Sequence, residues 1–487
     1  MTSGTFVTPT VGGGQSQFGL ESYLARLNYN YKSKYYLGAS IRQDSNSDLP
    51  EANRKGYFPG VSVAYRISEE SFFKNSTALG FISDFRIRGS FAEVGNIAIG
   101  RFRYLGQYSA AVYGGQSGIG FSNIGNPALR WEEQKKYDLG LELGFLDGRI
   151  NFIADYFRQD NDKIVLSAPT APSLGVPGNS IVQNVGNIRN SGFELGINAE
   201  VLRKGDFTWS SSFNFTTQKN KVLALFNNED QIGAYNIIRV GESINALYGY
   251  QYLGVAPANG NPLYQKANGT IIQGRISNQA YYTYDPANPN QYYNSALPIS
   301  ASNPDNRATL ASSDRSVLGS VLPKWFGGFN NTFTYKGIDL NVLLRYQGGN
   351  LIYNRTRTDL VNQNFVNNGT EILGRWKSVA EPGDGVTPSV YFGRSTFINL
   401  DNQAYTRFVE KGDFLRLDNL SLGYKIPSKA LNKISVGSVR IYASAQNLFV
   451  ITGYKGLDPE TNTNGAGVDY NGNPQQRTFT FGINLGI

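Results

Sequence analysis

Two short runs hold most of the side chains that could do chemistry. AYYTYDPANPNQYYN (280–294) brings together Tyr281, Tyr282, Tyr284, Tyr292 and Tyr293. Exposed tyrosine rings stack on sugar faces or anchor a partner protein. They also pack a long loop against its neighbours, and that second role is favoured here. LDPETNTNGAGVDYNGN (457–473) spaces Asp458, Glu460, Asn462, Asn464 and Asp469 somewhat as a calcium loop would. Thr463 stands where such a loop needs Gly, and no Glu closes it. Turn chemistry explains the Asn, Asp and Gly content better, so no metal or other cofactor is expected. The chain has neither His nor Cys. That excludes Ser-His and Cys-His pairs, histidine metal sites and disulfides. No pair of acids stands apart for a carboxylate-only mechanism, and the expectation is a protein that is not an enzyme.

Composition points to the elements that carry these runs. Of 487 residues only 17% are charged, against 13% aromatic, with 31 Tyr, 29 Phe and 55 Gly. No run approaches the ~18–20 apolar residues of a membrane helix. The formal charge of +8 is scattered, without a basic run, so no nucleic-acid partner is expected. Strict alternation recurs instead. Tyr23, Ala25, Leu27, Tyr29 and Tyr31 oppose Arg26, Asn28 and Asn30; Tyr137, Leu139, Leu141, Leu143 and Phe145 oppose Asp138, Gly140, Glu142 and Gly144. Phe193, Leu195, Ile197, Ala199 and Val201 oppose Glu194, Asn198 and Glu200, and Ile338, Leu340, Val342, Leu344 and Tyr346 oppose Asp339, Asn341 and Arg345. The last residues, RTFTFGINLGI, set Phe479, Phe481, Ile483, Leu485 and Ile487 on one face.

Segments of about nine to eleven residues suit tilted membrane strands. Charges keep to the polar face, as the cost of a lipid-facing Lys or Arg requires. Tyr29, Tyr31, Tyr35, Phe145, Phe207, Trp209, Tyr335 and Tyr424 gather beside short turns, where an interfacial girdle belongs. Asn331, in line with Phe329, Phe333 and Tyr335, is out of place. The reading is therefore all-β: a transmembrane antiparallel β-barrel in the bacterial outer membrane, with the bilayer as partner. Short turns (32–34, 146–149, 202–206, 336–337) and moderate ones (68–82, 427–436) fall at the periplasmic end. Long loops (43–56, 92–134, 159–188, 218–324, 348–413, 450–475) fall outside. SEESFF (68–73) is expected to start a helix with Ser68 as N-cap. INALYGYQYLGV (244–255) fits only as extra structure within an extracellular loop. Thirteen spanning strands result, the first and last pointing the same way, so they cannot close on each other. The MTSGTFVTPTVGGGQSQ start has no signal-peptide pattern.

RVGESINALYGYQYLGV (239–255), DRSVLGSVLPKWFGGFNNTFTYKGIDLNVLLRYQGGNLIYN (314–354), RWKSVAEPGDGVTP (375–388), FLRLDNLSLGYKIPSKAL (414–431) and VRIYASAQNLFVITGYKGLDPETN (439–462) resemble the SusC-like (RagA-type) TonB-dependent outer-membrane transporters of Bacteroidota. The likeness covers nearly the whole chain, in the family's order. It implies a plugged barrel of about 22 strands, of which residues 1–487 are the C-terminal part. The plug, TonB box, signal peptide and early strands are expected to lie outside this sequence. It implies nutrient import, glycans or oligosaccharides first, with a SusD-like lipoprotein as lid and TonB-ExbB-ExbD acting through the plug. A peptide importer, a siderophore receptor and a surface-binding adhesin barrel are the alternatives. RTFTFGINLGI resembles the closing strand and the signal read by the outer-membrane assembly machinery, although the family usually ends on an aromatic residue rather than Ile487. Arg26, Arg42, Arg66, Glu142, Glu194 and Arg345 are expected to line the lumen, with the plug supplying partners for some.

Overall fold

The computed structural model describes residues 15, 17–97, 100–290, 292, 307–362, 367–400, 403–427, 436–461 and 465–486. Thirteen strands form one antiparallel meander, each bonded to the next in chain order. They are β1 (Leu20–Tyr31), β2 (Tyr35–Asn46), β3 (Lys55–Arg66), β4 (Ile82–Asn96), β5 (Glu132–Phe145), β6 (Ile150–Pro169) and β7 (Ser180–Lys204). β8 (Phe207–Thr217), β9 (Trp325–Tyr335), β10 (Ile338–Gly348), β11 (Phe414–Lys425), β12 (Ser438–Thr452) and β13 (Thr478–Gly486) complete it. The count matches the sequence reading. Among the described residues β1 pairs only with β2, and β13 only with β12.

The short connections have the geometry that tight hairpins demand. Lys336 and Gly337 both take positive φ (47° and 87°), as do Asp147 (56°) and Gly148 (81°). Cross-strand registry keeps every apolar row on one side. Tyr29, Leu37, Val63, Gly89 and Leu139 lie opposite one another across β1–β5. These rows are exposed: Leu139 is 59% accessible, and Phe479, Phe481, Ile483 and Leu485 are 63–82%. The girdle stacks, with Tyr35 and Tyr65 rings 5.0 Å apart and Trp209 and Phe333 5.7 Å. Asn331 is accounted for. It is buried, and its Oδ1 accepts the Trp209 indole N–H at 3.0 Å, so neither polar group faces lipid unpaired.

Two expectations are corrected. The segment 159–188 is not a loop: β6 and β7 continue as a paired ribbon to Pro169↔Ser180, past the last β5–β6 pair at Glu133↔Asp162. Its alternation is weak because both faces there meet water or other loops. The helix in SEESFF is a single turn, Ser71–Lys74, with Glu70 at the N-cap position. Ser68 sits buried in a preceding 3-10 turn and donates to Asp84 Oδ1 at 2.8 Å instead of capping.

At the opposite end the loops build a second body. Ala246–Val255, within INALYGYQYLGV, is the central strand of an eight-stranded sheet separate from the meander. It pairs with 236–238, 262–265 and 316–319, and in parallel with 404–405. A three-stranded sheet joins 351–354 to 409–411 and 468–469. One core of Leu247, Tyr264, Ile272, Tyr353, Phe408 and Val468 thus serves three loops that are far apart in sequence.

Candidate functional site

The inner face of the meander is a ladder of ion pairs. Arg88 on β4 reaches Asp138 and Glu142 on β5 at 2.7 and 3.1 Å, and Asp155 on β6 at 2.6 Å. Gly140 lies opposite both Arg88 and Asp155. A Cβ there would stand 2.2 Å from Asp155 Oδ1 and 2.8 Å from Arg88 Nε, so a larger residue would force both side chains to shift. On the other face, beyond the apolar rows, Asp160 is held by Arg158 and Arg189, each at 2.6 Å, and Arg158 lies opposite Tyr137.

Most of the charges expected to line the lumen are ion-paired within the described residues. Arg42 pairs with Asp44 at 2.7 Å, Arg66 with Asp84 at 2.7 Å, and Glu142 with Arg86 and Arg88. Arg345 binds Asp418 at 3.1 Å and Glu460. Adjacent registry skips Asp418, which marks a bulge that turns this carboxylate toward Arg345. Arg26 donates to Asn28, and Glu194 has no ion-pair partner among the described residues.

Loop 453–477 is fastened to the wall by the same chemistry. Arg416 on β11, almost wholly buried, donates to Asp458 at 2.7 Å, and its Nε stands 2.9 Å from Glu460. Asp469 accepts the Tyr454 hydroxyl at 2.6 Å. The carboxylates of the calcium-like run are therefore committed to arginines and a phenol; Asn462 and Asn464 lie outside the described residues. Among the described residues no group of three or more carboxylates is placed so that it could hold a metal ion.

Inside the loop body, Arg357 grips Glu371 through two bonds of 2.5 and 2.9 Å and Glu410 through one of 3.0 Å. Arg407, buried, adds a bond to Glu371 at 3.3 Å. Burial alone would raise the Glu371 pKa, but the two arginines override it and hold the carboxyl below its ordinary value. Burial pushes the Tyr252, Tyr264 and Tyr405 phenols up, so they stay neutral hydrogen-bonding groups. Nothing in the sequence marks the Arg357–Glu371–Arg407–Glu410 cluster, because its members lie on separate turns of a long loop.

The five tyrosines of 280–294 are divided. Tyr281 packs on Phe397 with rings 4.9 Å apart, and burial raises its pKa. Tyr282 is 3% exposed, its hydroxyl accepting from Asn278 and its ring meeting Tyr292 at 5.5 Å. Tyr292 stands under the Arg275 guanidinium at 4.2 Å. Tyr284 is half-buried, and Tyr293 lies outside the described residues, as does Ile487 of the last strand. The structure thus turns Tyr281 and Tyr282 into the body of the loop.

An apolar outer face, an ion-paired inner face and long structured loops at one end define a receptor-type β-barrel. Residues 2–305 match the family described as TonB dependent receptor-like, beta-barrel. TonB-dependent receptor P3 of Formosa agariphila is 31% identical over 490 residues, covering 96% of this chain and 45% of that protein. TonB-dependent receptor SusC of Bacteroides thetaiotaomicron is 28% identical over 492 residues, 96% of this chain and 43% of that protein. The solved RagAB peptide transporter superposes with a TM-score of 0.79 at 23% identity, over 98% of this chain and 49% of that one. The chain belongs to the TonB-dependent receptor-like β-barrel family and is similar to SusC. It spans about half the length of the curated relatives it matches.

Proposed function

We propose that this chain forms the wall and outer loops of a SusC-like, TonB-dependent importer in the outer membrane of the cell. The observation that carries this reading is the joining of three long loops into one packed body above an ion-paired inner wall. Such a body is a fixed receiving surface at the mouth of a lumen, whereas independent loops would be mobile. Among the described residues the outer edges of β1 and β13 have no strand partner, which supports a wall completed by further strands, since each unsatisfied backbone group in lipid costs several kcal/mol. A plug within that lumen would couple to TonB-ExbB-ExbD, and a SusD-like lipoprotein would close the mouth.

Glycans are the proposed cargo. The loops supply amides, hydroxyls and tyrosine rings, which suit neutral polyhydroxylated ligands. Peptides use much the same groups, and RagAB is described as a peptide transporter. Uptake of labelled oligosaccharides and labelled peptides by cells with and without the full-length gene separates the two, with a protonophore added in a parallel arm. Loss of energy-dependent oligosaccharide uptake is the expected result. Loss of peptide uptake alone would replace the cargo, and surface binding without any uptake would defeat the importer reading.

A further inference from the structure

Between the ion pairs at the two ends of β10–β12 runs a row without charge. On the inner face Ser210, Thr332, Asn341, Ser421, Ser444 and Thr480 lie opposite one another in turn, one on each strand from β8 to β13. Each carries a hydroxyl or an amide, and β8, β9 and β13 hold no charged residue at all. The flanking charges are held in pairs, Asp339 with Arg440 at 2.5 Å on one side and Arg345 with Asp418 at 3.1 Å on the other. The inner row that crosses β3–β7 is different. It reads Ala64, Arg88, Gly140, Asp155 and Glu194, and its centre is the ion cluster.

Register makes the uncharged row a ramp. Ser210 is the fourth residue of β8 counted from the short-turn end, whereas Thr480 is the third of β13 counted from the loop end. A row that crosses strands tilted by about 35–45° climbs the wall in this way. Neighbouring strands stand roughly 4.8 Å apart, so polar side chains follow one another at that step along the climb. Asn341 donates to Asn330 and Thr332 at 2.8 and 3.0 Å. The Ser210, Ser421, Ser444 and Thr480 hydroxyls have no hydrogen-bond partner among the described residues, and none of the four is buried.

We infer that this row is the track along which a neutral, polyhydroxylated chain passes through the lumen. Hydroxyls and amides exchange hydrogen bonds with such a chain one step at a time. With no charge in the row, no single step holds the chain fast, as passage requires. The inference names a path for the cargo proposed above and rests on that reading.

The test is uptake of labelled neutral hexasaccharides (α-glucan, β-glucan, mannan and fructan) by cells carrying the full-length gene. Surface binding is measured separately, with a protonophore present. Ser421→Ala, Ser444→Ala and Thr480→Val are combined, which removes three hydroxyls with little change in shape. Uptake of the hexasaccharide that the wild type imports should fall about tenfold, which the loss of one to three net hydrogen bonds accounts for. Surface binding should stay that of the wild type. Ser62→Ala with Ser90→Ala, an opposed pair on the inner face of β3 and β4, should leave uptake unchanged. Wild-type uptake in the triple variant would overturn the inference, as would an equal fall in the Ser62–Ser90 variant. So would a matching fall in surface binding, or a new sensitivity to a large antibiotic that the wild type excludes, the mark of a loosened plug. Wild-type cells that import none of the hexasaccharides would instead contradict the glycan-importer reading.

Discussion

Asn331 shows how much one polar atom on an apolar face depends on its neighbour. Its bond to Trp209 crosses between β8 and β9, where water is scarce. Asn331→Ala leaves the indole N–H unsatisfied, and a loss of about 1–3 kcal/mol is expected from urea unfolding in vesicles. Adding Trp209→Phe to that variant should recover much of the loss, because both polar groups are then gone. Gly140 makes the reverse case. Gly140→Ala puts a methyl group into Asp155 and Arg88, so the cluster must open, at a cost of about 1–3 kcal/mol by the same assay. Sequence alone flagged Asn331 as an exception to its row but could not supply the partner, 122 positions away. It passed over Gly140, since a glycine on a polar face raises no alarm until the ions around it are placed.

Between elements, the loop fastenings carry the expected effects. Arg416→Met strands Asp458 beside a vacated cation and should cost about 3–5 kcal/mol of local stability. The readout is faster proteolytic cleavage within 453–477, with the β-strands unaffected. The loop body is also expected to loosen in acid. Glu371, Asp384 and Asp314 all have pKa values held below their ordinary ones, by Arg357 and Arg407, by the Thr387 and Val386 amides, and by Lys266 respectively, each against the upward push of burial. A depressed carboxylate contributes fully above its unfolded pKa of about 4, and the contribution is lost as pH falls through the lower folded value. Limited proteolysis of 349–413 should therefore be flat from neutral pH to about pH 5 and accelerate below about pH 4. Strands, turns and thirteen-fold count were legible because period-two alternation and hairpin chemistry are local. The β6–β7 ribbon and the loop body were not, because they depend on pairings such as Tyr250↔Tyr405 that no local pattern announces.

Across the whole molecule, a single sheet separates two environments. Its outer rows are apolar and accessible, and its inner rows are ion-paired. The sequence contains no cysteine, so single cysteines introduced into residues 1–487 report their own surroundings. The most direct measurement places them one at a time in β5, β7 and β13 of the full-length protein in outer membranes, any cysteine elsewhere in it having been replaced. Each is labelled with an aqueous maleimide and, separately, with a fluorophore read against lipid-borne quenchers. Leu139, Ile197 and Phe481 should be quenched by lipid and resist the aqueous reagent; Asp138, Asn198 and Gly482 should show the opposite. That period of two, repeated across all three strands, is the predicted result. Uniform aqueous labelling of both faces would contradict a membrane wall.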